Sequence, residues 1–592
     1  MFTINFGEKP MIRQLRHCAF IASLTYSCLA TAVDTDDILE LTLEKPKAVI
    51  MGEVAKDRIR FNVCANPTSE LCYGALQYRL AGEEDWENTI TFPLARSQHY
   101  SDAVDIKELK PENKYEYRIG TFHIRDQSIL PNVKLIWNDQ SNPNYEQDIF
   151  YSYEDFVGKK DLSFLFGSCQ YDGPLLDKLE KSPLALLNLL MKIKPLRNIG
   201  FFTKLTKLPG YKSKISNTQL GIMIELLALA EQEGTFIRTD DSEIFKTIRE
   251  YAEKNNIQLR GFMDMGDTYY RDWLNIYGGA QNTEEVYALI LNAITTAGRY
   301  EIQKTMPTLV QIDDHAFKDN FTRNDLIGQN YSLFADSCWR MADMVQRQMN
   351  IYDPETKQIG YRWSETSLWG LPVFIGDFRS EMIPGLAKIS TAQQTALEKF
   401  LIKWGSYPKV ILSQVPIGPD DTSKDTSDKW GDAGYQITRN KILNYLYSNK
   451  IKNTFWLGGD IHSGLFADVV HTSKPINENS LRSFPRVTDE TESEVSMKNI
   501  VLAEAVASPF NWPIQFESMV LDPFIPLGES DKGHFCVVNQ SSLVKKNHGG
   551  IFKLSDDGMK VEIALLTNSP DNPSGEVVLK KVYQLVPYES KM

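Results

Sequence analysis

The chain has 592 residues, 42% of them hydrophobic, enough to bury one large core and a smaller one; disorder is excluded and two domains are expected. The formal net charge of −13 argues against a general nucleic-acid surface, because phosphate backbones are held mainly by Lys and Arg. A small phosphate-bearing substrate would have to be met locally, by a few cations or metal ions focused in one cleft.

At the N-terminus, Met11-Ile12-Arg13-Gln14-Leu15-Arg16-His17 is basic, residues 18–29 are short and mostly apolar, and Ala30-Thr31-Ala32 is a small-x-small cleavage site. That order reads as a secretory signal over residues 1–32 and predicts a periplasmic or secreted protein; a buried N-terminal helix is the alternative. The apolar run is too short to span a bilayer, and no later run of about 20 apolar residues replaces it, so no transmembrane segment is expected. Cleavage would leave Cys64, Cys72, Cys169, Cys338 and Cys536, an odd number, so at least one thiol stays outside any internal disulfide. Cys64 and Cys72 flank a turn and are placed to pair in an oxidising compartment. Cys169 is expected to stay unpaired.

Residues 45–125 alternate apolar and polar positions in short runs broken by turn residues, as in Ile59-Arg60-Phe61-Asn62-Val63, which predicts a small β-sandwich within residues 38–155. Leu109-Lys110-Pro111-Glu112-Asn113-Lys114-Tyr115 resembles the tyrosine corner of immunoglobulin-like and fibronectin type III domains, a packing device. From residue 160 onward, strand-like runs at 162–166, 259–265, 308–312, 373–375, 410–415 and 454–457 alternate with amphipathic helical patterns at 244–255, 284–304, 392–404 and 437–449. This predicts an α/β domain over residues 160–592 with its site at the C-terminal strand ends. A segment at about 172–240 breaks the alternation. Its Leu-rich part, 175–214, carries nine Lys or Arg against two acids, and reads as a helical insertion with a solvated basic face or as a weak membrane-surface contact. Polar stretches at 420–432 and 488–496 read as surface loops.

Four predicted strands end in residues suited to holding a metal: Ser168-Cys169-Gln170, Gly266-Asp267-Thr268-Tyr269-Tyr270, Asp313-Asp314-His315 followed by Asp319-Asn320, and Gly459-Asp460-Ile461-His462. A multivalent cation needs several anionic or imidazole donors converging from rigid elements, and neighbouring strand ends supply them. A Gly beside the ligand lets the backbone turn sharply. If residues 460–462 stay extended, Asp460 and His462 share a face. Each motif alone has a bland reading: a turn, a surface hydrogen bond, a buried small thiol. Their coincidence in a chain with only eight histidines favours a metal site. Neither a Gly-x-Ser-x-Gly elbow nor a phosphate-cradling Gly-rich loop is present, which removes serine-nucleophile and kinase readings.

The ordered set Ser168-Cys169-Gln170, Gly266-Asp267 through Tyr270, Asp313-Asp314-His315, Asp377-Phe378-Arg379-Ser380 and Gly459-Asp460-Ile461-His462 resembles the motif series of the PhoD-like alkaline phosphatases, within the calcineurin-like metallophosphoesterase superfamily. The resemblance implies a four-layer αββα sandwich, preceded by the small all-β domain, with iron and calcium between the sheets; other divalent metals would also suit the donors. By position it makes Cys169, Asp267, Tyr270, Asn320, Asp460 and His462 metal ligands, with Asp267 bridging. Spacing leaves open whether Asp313, Asp314 or Asn320 binds directly. Arg379 is read as a contact to the substrate phosphate or as a brace for Asp377. Ala316 stands where the family usually has Glu, a departure that touches the support of His315.

The expected chemistry is phosphoester hydrolysis, in which the cations polarise the phosphoryl oxygens and present a hydroxide in line with the leaving group. His315 is the candidate acid for the leaving oxygen, with Asp314 raising its basicity. Monoesterase and diesterase readings share the same site. A non-catalytic binding or adhesion protein on a decayed scaffold is the rival from another class.

Overall fold

The structure is a computed structural model, and it describes residues 38–170, 243–270, 283–317, 321–324, 362–418, 428–473, 494–510, 526–530, 533–538, 541–569 and 572–589, apart from 57, 67, 88, 139–142 and 432. The signal-like segment 1–32, the insertion at 172–240, Cys338 and Asn320 lie outside these residues.

The first part of the chain forms strands β1 (Leu39–Thr42), β2 (Ala48–Ala55), β3 (Arg58–Cys64), β4 (Leu71–Leu80), β5 (Ile90–Pro93), β6 (Ser101–Lys107), β7 (Lys114–Ile124), β8 (Val133–Ile136) and β9 (Glu146–Tyr151). They make a three-stranded sheet, β2-β3-β6, a four-stranded sheet, β5-β4-β7-β9, and a parallel β1-β8 pair. Alternate side chains such as Phe61 and Val63 from the first sheet and Leu76, Tyr117 and Phe150 from the second share one core. The Tyr115 hydroxyl accepts from the Lys110 N–H at 3.0 Å, the back-bond expected of a tyrosine corner. Cys64 and Cys72 do not pair: both are free and buried, one on each sheet, which corrects the disulfide expectation.

The larger part begins with β10 (Leu162–Gly167), α1 (Glu243–Lys254), β11 (Leu259–Asp264), α2 (Thr283–Ile294), α3 (Ala297–Gln303), β12 (Thr308–Val310), β13 (Ser364–Leu368) and β14 (Leu371–Ile375). It continues with α4 (Thr391–Trp404), β15 (Lys409–Leu412), α5 (Ala433–Ser448), β16 (Thr454–Gly458), β17 (Leu465–Thr472), β18 (Glu494–Ser496) and β19 (Ile500–Val506). It closes with β20 (Pro526–Ser530), β21 (Gly533–Val538), β22 (His548–Leu554), β23 (Lys560–Ser569) and β24 (Asn572–Gln584). One sheet runs β12-β11-β10-β22-β23-β24-β18, the other β13-β14-β15-β16-β19-β17-β21-β20.

Side-chain alternation fixes how these sheets pack. Leu162, Phe164 and Phe166 of β10 meet Val373, Ile375, Val410, Leu412, Phe455 and Leu457 of the second sheet in a common core. Leu165 points the other way, under Ile244, Phe245 and Ile248 of α1. Phe374, Ile411 and Trp456 turn outward onto Leu397, Phe400 and Leu401 of α4 and Ile442, Leu443 and Leu446 of α5. Both sheets thus carry helices on their outer faces. The small sheets dock onto this body through Tyr117, whose hydroxyl donates to the Lys304 carbonyl at 2.8 Å, and through Tyr300, whose hydroxyl accepts from the Val49 N–H at 3.2 Å.

Three of the departures from the sequence expectation bear on how the chain turns. The helix predicted over 284–304 is two, because Thr296 leaves helical geometry (φ −54°, ψ 128°) and starts α3 as its N-cap, next to Thr295, whose hydroxyl donates to the Leu291 carbonyl at 2.6 Å. The strand predicted over 410–415 stops at Leu412, where Ser413 turns and bonds the Val415 carbonyl. Within the stretch 488–496 read as a loop, Glu494–Ser496 is an edge strand beside β24.

Candidate metal centre

The C-terminal ends of parallel strands from both sheets open onto one edge. β10 delivers Ser168-Cys169-Gln170, β11 delivers Gly266-Asp267, and β12 leads into the Asp314–Ala316 turn. From the other sheet β14 leads to Asp377 and Arg379, β16 to Gly459-Asp460-Ile461-His462, and β19 to Ser508. Cys169 (φ 61°), Asp267 (52°), Asp460 (71°) and His462 (48°) all lie in the left-handed region, which non-glycine residues rarely enter and which clusters at functional sites. This corrects the extended reading of residues 460–462: β16 ends at Gly458, and a left-handed turn, not strand alternation, brings both side chains to the site.

The loops are held by each other. Cys169 N–H donates to the Gly266 carbonyl at 3.1 Å and Gln170 N–H to the Asp267 carbonyl at 2.8 Å, so the first two motifs pair as backbone. A Cβ on Gly266 would lie 2.7 Å from the Asp313 Cβ, and one on Gly459 2.6 Å from the Ser168 Cβ, which is why glycine precedes each aspartate. Beneath them, buried Arg299 donates to Gln170 Oε1 at 2.6 Å and pairs with Asp264, whose other oxygen accepts the Gly266 N–H at 2.9 Å. Gln170 is therefore a support for the turn. Ser168 Oγ accepts the Asp460 N–H at 3.2 Å, and Ser508 Oγ accepts the His462 N–H at 3.1 Å.

Donor atoms of three groups fall within 4.8 Å of one another: Cys169, Asp267 and His462; Asp267, Asp314 and His315; and Asp267, Asp313, Asp314 and Asp460. Asp267 is common to all three, the position a bridging carboxylate needs. Tyr270 Oη donates to Asp267 Oδ2 and lies against His462 Nε2, each at 3.1 Å, and its ring centroid is 4.5 Å from that of His315. Asp267 Oδ1 and Asp313 Oδ2 are buried without a hydrogen-bond partner. Burial, reinforced by the Asp314 and Asp460 charges against the pull of His315 and Arg379, pushes the Asp267 carboxyl up to about 8. Burial likewise pushes Cys169, Tyr270 and Asp313 well above their ordinary values and lowers His462 to about 3. Oxygen, thiol and imidazole donors that are crowded, buried and incompletely satisfied fit a multivalent cation, whose charge would favour their deprotonated forms.

Three basic residues offset part of this negative charge. Arg379, 2% exposed, donates through Nε to Asp313 at 2.5 Å and through Nη2 to Asp460 at 2.6 Å, and pairs with Asp428. Its side chain braces the acidic cluster; toward Asp377 it offers its backbone N–H, at 3.3 Å. Lys429 bridges Asp428, at 2.9 Å, and Asp460. Lys388 is buried and donates to the Asp428 carbonyl. Sequence reasoning missed Asp428 and Lys429, because they sit in the polar stretch 420–432 read as a surface loop. In fact Asp428 is 1% exposed and Trp430 is fully buried against Phe378 and Trp456. The signal available was the Trp itself, an apolar anchor in an otherwise polar run.

A family model for PhoD-like phosphatases matches residues 389–505, the stretch that holds Asp428, Lys429, Asp460 and His462. The solved structure of PhoD aligns with a TM-score of 0.55 at 12% identity, covering 92% of this chain and 91% of that one. The fold is that of PhoD. The resemblance read from the motif series is thereby borne out, and the PhoD match extends over the small sheets as well as the large ones. A β-glucuronidase from Dictyoglomus thermophilum aligns at 10% identity over 51% of this chain and 53% of its own, with a TM-score of 0.14 that carries no argument. No curated protein matches the sequence significantly. The PhoD-like match supports phosphoester hydrolysis as the activity.

Proposed function

We propose that the chain is a metal-dependent phosphoester hydrolase of the alkaline phosphatase D kind. The carrying observation is the convergence of Cys169, Asp267, Tyr270, Asp313, Asp314, His315, Asp460 and His462 from both sheets around buried oxygens that lack partners. By the resemblance, Cys169, Tyr270 and Asp267 would hold ferric iron, while Asp267, Asp460, His462 and Asn320 would complete a set that includes calcium. When bound, such cations supply Lewis acidity at the phosphoryl oxygens and a water of lowered pKa. The four-layer αββα reading, with residues 38–155 as an immunoglobulin-like unit ahead of it, belongs to the same proposal. It rests on helices packed against the outer face of each large sheet. Export through residues 1–32 rests on their basic, apolar, small-residue order.

The chain's own residues divide the remaining work. His315 is buried in the cluster, 9% exposed, with its ring beside Tyr270, and is the group we assign to hold a proton for the departing oxygen. Burial works against the neighbouring Asp314 carboxylate, but the charges of Arg379 and His315 outweigh it and keep its pKa below the usual range. Arg379 fixes Asp313 and Asp460 relative to each other, so carboxylates from the two sheets keep one spacing.

Turnover of p-nitrophenyl phosphate and of its bis ester, with and without chelator, tests the reading. Chelator-sensitive hydrolysis of either ester is expected, and their ratio reports monoester against diester preference. Absence of chelator-sensitive turnover of both would overturn it in favour of a non-catalytic scaffold.

A further inference from the structure

Around the acidic cluster, Arg379, Lys388 and Lys429 are placed very differently. Arg379 is tied to four carboxylates, Asp313, Asp314, Asp428 and Asp460, and almost sealed from solvent. Lys388 is fully buried, held by the Asp428 carbonyl and by Met382 Sδ at 3.2 Å. Lys429 is different: its side chain is 15% exposed, while Asp428 beneath it is 1% exposed and Asp460 beside it 8%. Among the three cations of this cluster it is the one whose side chain reaches solvent most.

We infer that Lys429 is a substrate-phosphate anchor: its ammonium, parked on Asp428 and Asp460, turns to a non-bridging oxygen of the phosphoryl group once the acidic cluster holds its metal ions. The inference rests on the hydrolase reading above and adds a substrate class to it, phosphomonoester dianions. Its logic is charge balance. Asp460 gives one oxygen to Arg379 and the other to Lys429, so any cation taken up by Asp460 shares that carboxylate with the lysine and weakens its hold. Asp428 still anchors the lysine stem end, which prevents it from swinging into bulk solvent. A lysine is suited to the exchange, being a compact point charge on a flexible four-carbon stem, whereas the planar Arg379 is locked by its fork of bonds. Because Asp460 belongs to the metal-binding group, an anion seated on cations there lies within reach of the same ammonium. A monoester above its second pKa of about 6 carries one more negative charge than a diester, so the lysine discriminates in favour of the monoester.

The test uses Lys429→Met and Lys429→Arg in the full chain, with metal content measured on each protein as purified and with thermal unfolding to confirm folding. Calorimetric binding of inorganic phosphate is the primary readout, since it needs no turnover. Lys429→Met is expected to weaken phosphate binding at least tenfold with unchanged metal content, Lys429→Arg to recover most of it, and KM for a monoester to rise several-fold more than KM for a diester. Unchanged phosphate affinity in Lys429→Met would overturn the inference. So would loss of metal together with loss of phosphate binding, which would make Lys429 a positioning residue for Asp460. A wild-type protein that binds phosphate through Lys429 yet hydrolyses neither ester would instead sink the hydrolase reading and leave the anchor standing.

Discussion

Cys169 shows what a single residue contributes to the reading. Its thiol is fully buried, 3.2 Å from Ser168 Oγ and 3.6 Å from Asp267 Oδ2, and burial and the Asp267 charge hold it protonated in the absence of a cation. As a mere packing group it would tolerate oxygen in place of sulfur with little effect. As a thiolate ligand to the ferric iron proposed above it would not, so if that assignment is right Cys169→Ser strips most of the iron and any charge-transfer absorption that goes with it. Elemental analysis and a visible spectrum decide, and unchanged iron content would mean that the thiol only packs. Arg379 permits a second prediction at this scale. Replacing it by Met leaves Asp313, Asp428 and Asp460 buried without their shared partner, a change that typically costs about 3–5 kcal/mol. Urea unfolding of metal-free protein should register that loss, and metal-loaded protein a smaller one, because cations take over part of the compensation. Both residues were visible in the sequence as motif members. Their partner Asp428 was not, because its burial depends on a contact with an arginine 49 positions away and on Trp430 anchoring the loop.

At the level of elements, the turns carry the site. The strand patterns at 162–166, 259–265, 373–375 and 454–457 were legible because a buried strand is a short apolar run, and the observed strands agree within a residue or two at either end. The backbone conformation after each strand was not legible beyond the presence of glycine. No periodicity announces that Cys169, Asp267, Asp460 and His462 take left-handed φ, since the strain is held by contacts from other loops, such as Ser168 and Ser508. Gly266 marks the point where this can be tested. Its φ of 107° and its close approach to Asp313 leave no room for a methyl group. Gly266→Ala should push the Asp313 turn away, cost about 1–3 kcal/mol of stability, and weaken metal binding by at least an order of magnitude in competition with a chelator. Metal affinity equal to wild type would show that the spacing of the Asp267 and Asp313 turns is not what sets the site.

Across the whole molecule, the centre lies between two sheets that are tied together by buried charge as well as by the apolar core. Lys581 on β24 donates to Asp468 on β17 at 2.6 Å, and Tyr583 donates to the same carboxylate at 3.1 Å, all fully buried. That strut fixes sheet spacing far from the chemistry, while the site itself crowds buried carboxyl groups around few cations, and the balance has a pH signature. His462, lowered to about 3, and His548, lowered to about 4, stay neutral in the folded protein, and above about pH 6.5 they are neutral in the unfolded chain too, so they add no pH dependence there. Asp267 behaves oppositely. Its carboxyl, raised to about 8 in the fold against about 4 in the unfolded chain, contributes stability at low pH that is lost as pH rises through 8. Between pH 6.5 and 8 the metal-free protein should therefore lose about 1.4 kcal/mol per pH unit for each such group, visible as a falling Tm. Metal binding runs the other way, because each bound cation expels the protons held by Asp267 and its neighbours. Over the same window the apparent metal affinity should rise roughly tenfold per pH unit for every proton released, and the Tm of loaded protein should not fall. A metal-free Tm independent of pH, together with a pH-independent metal affinity, would show that the acidic cluster is already ionised in the empty fold and that Arg379 and Lys429 suffice to hold it.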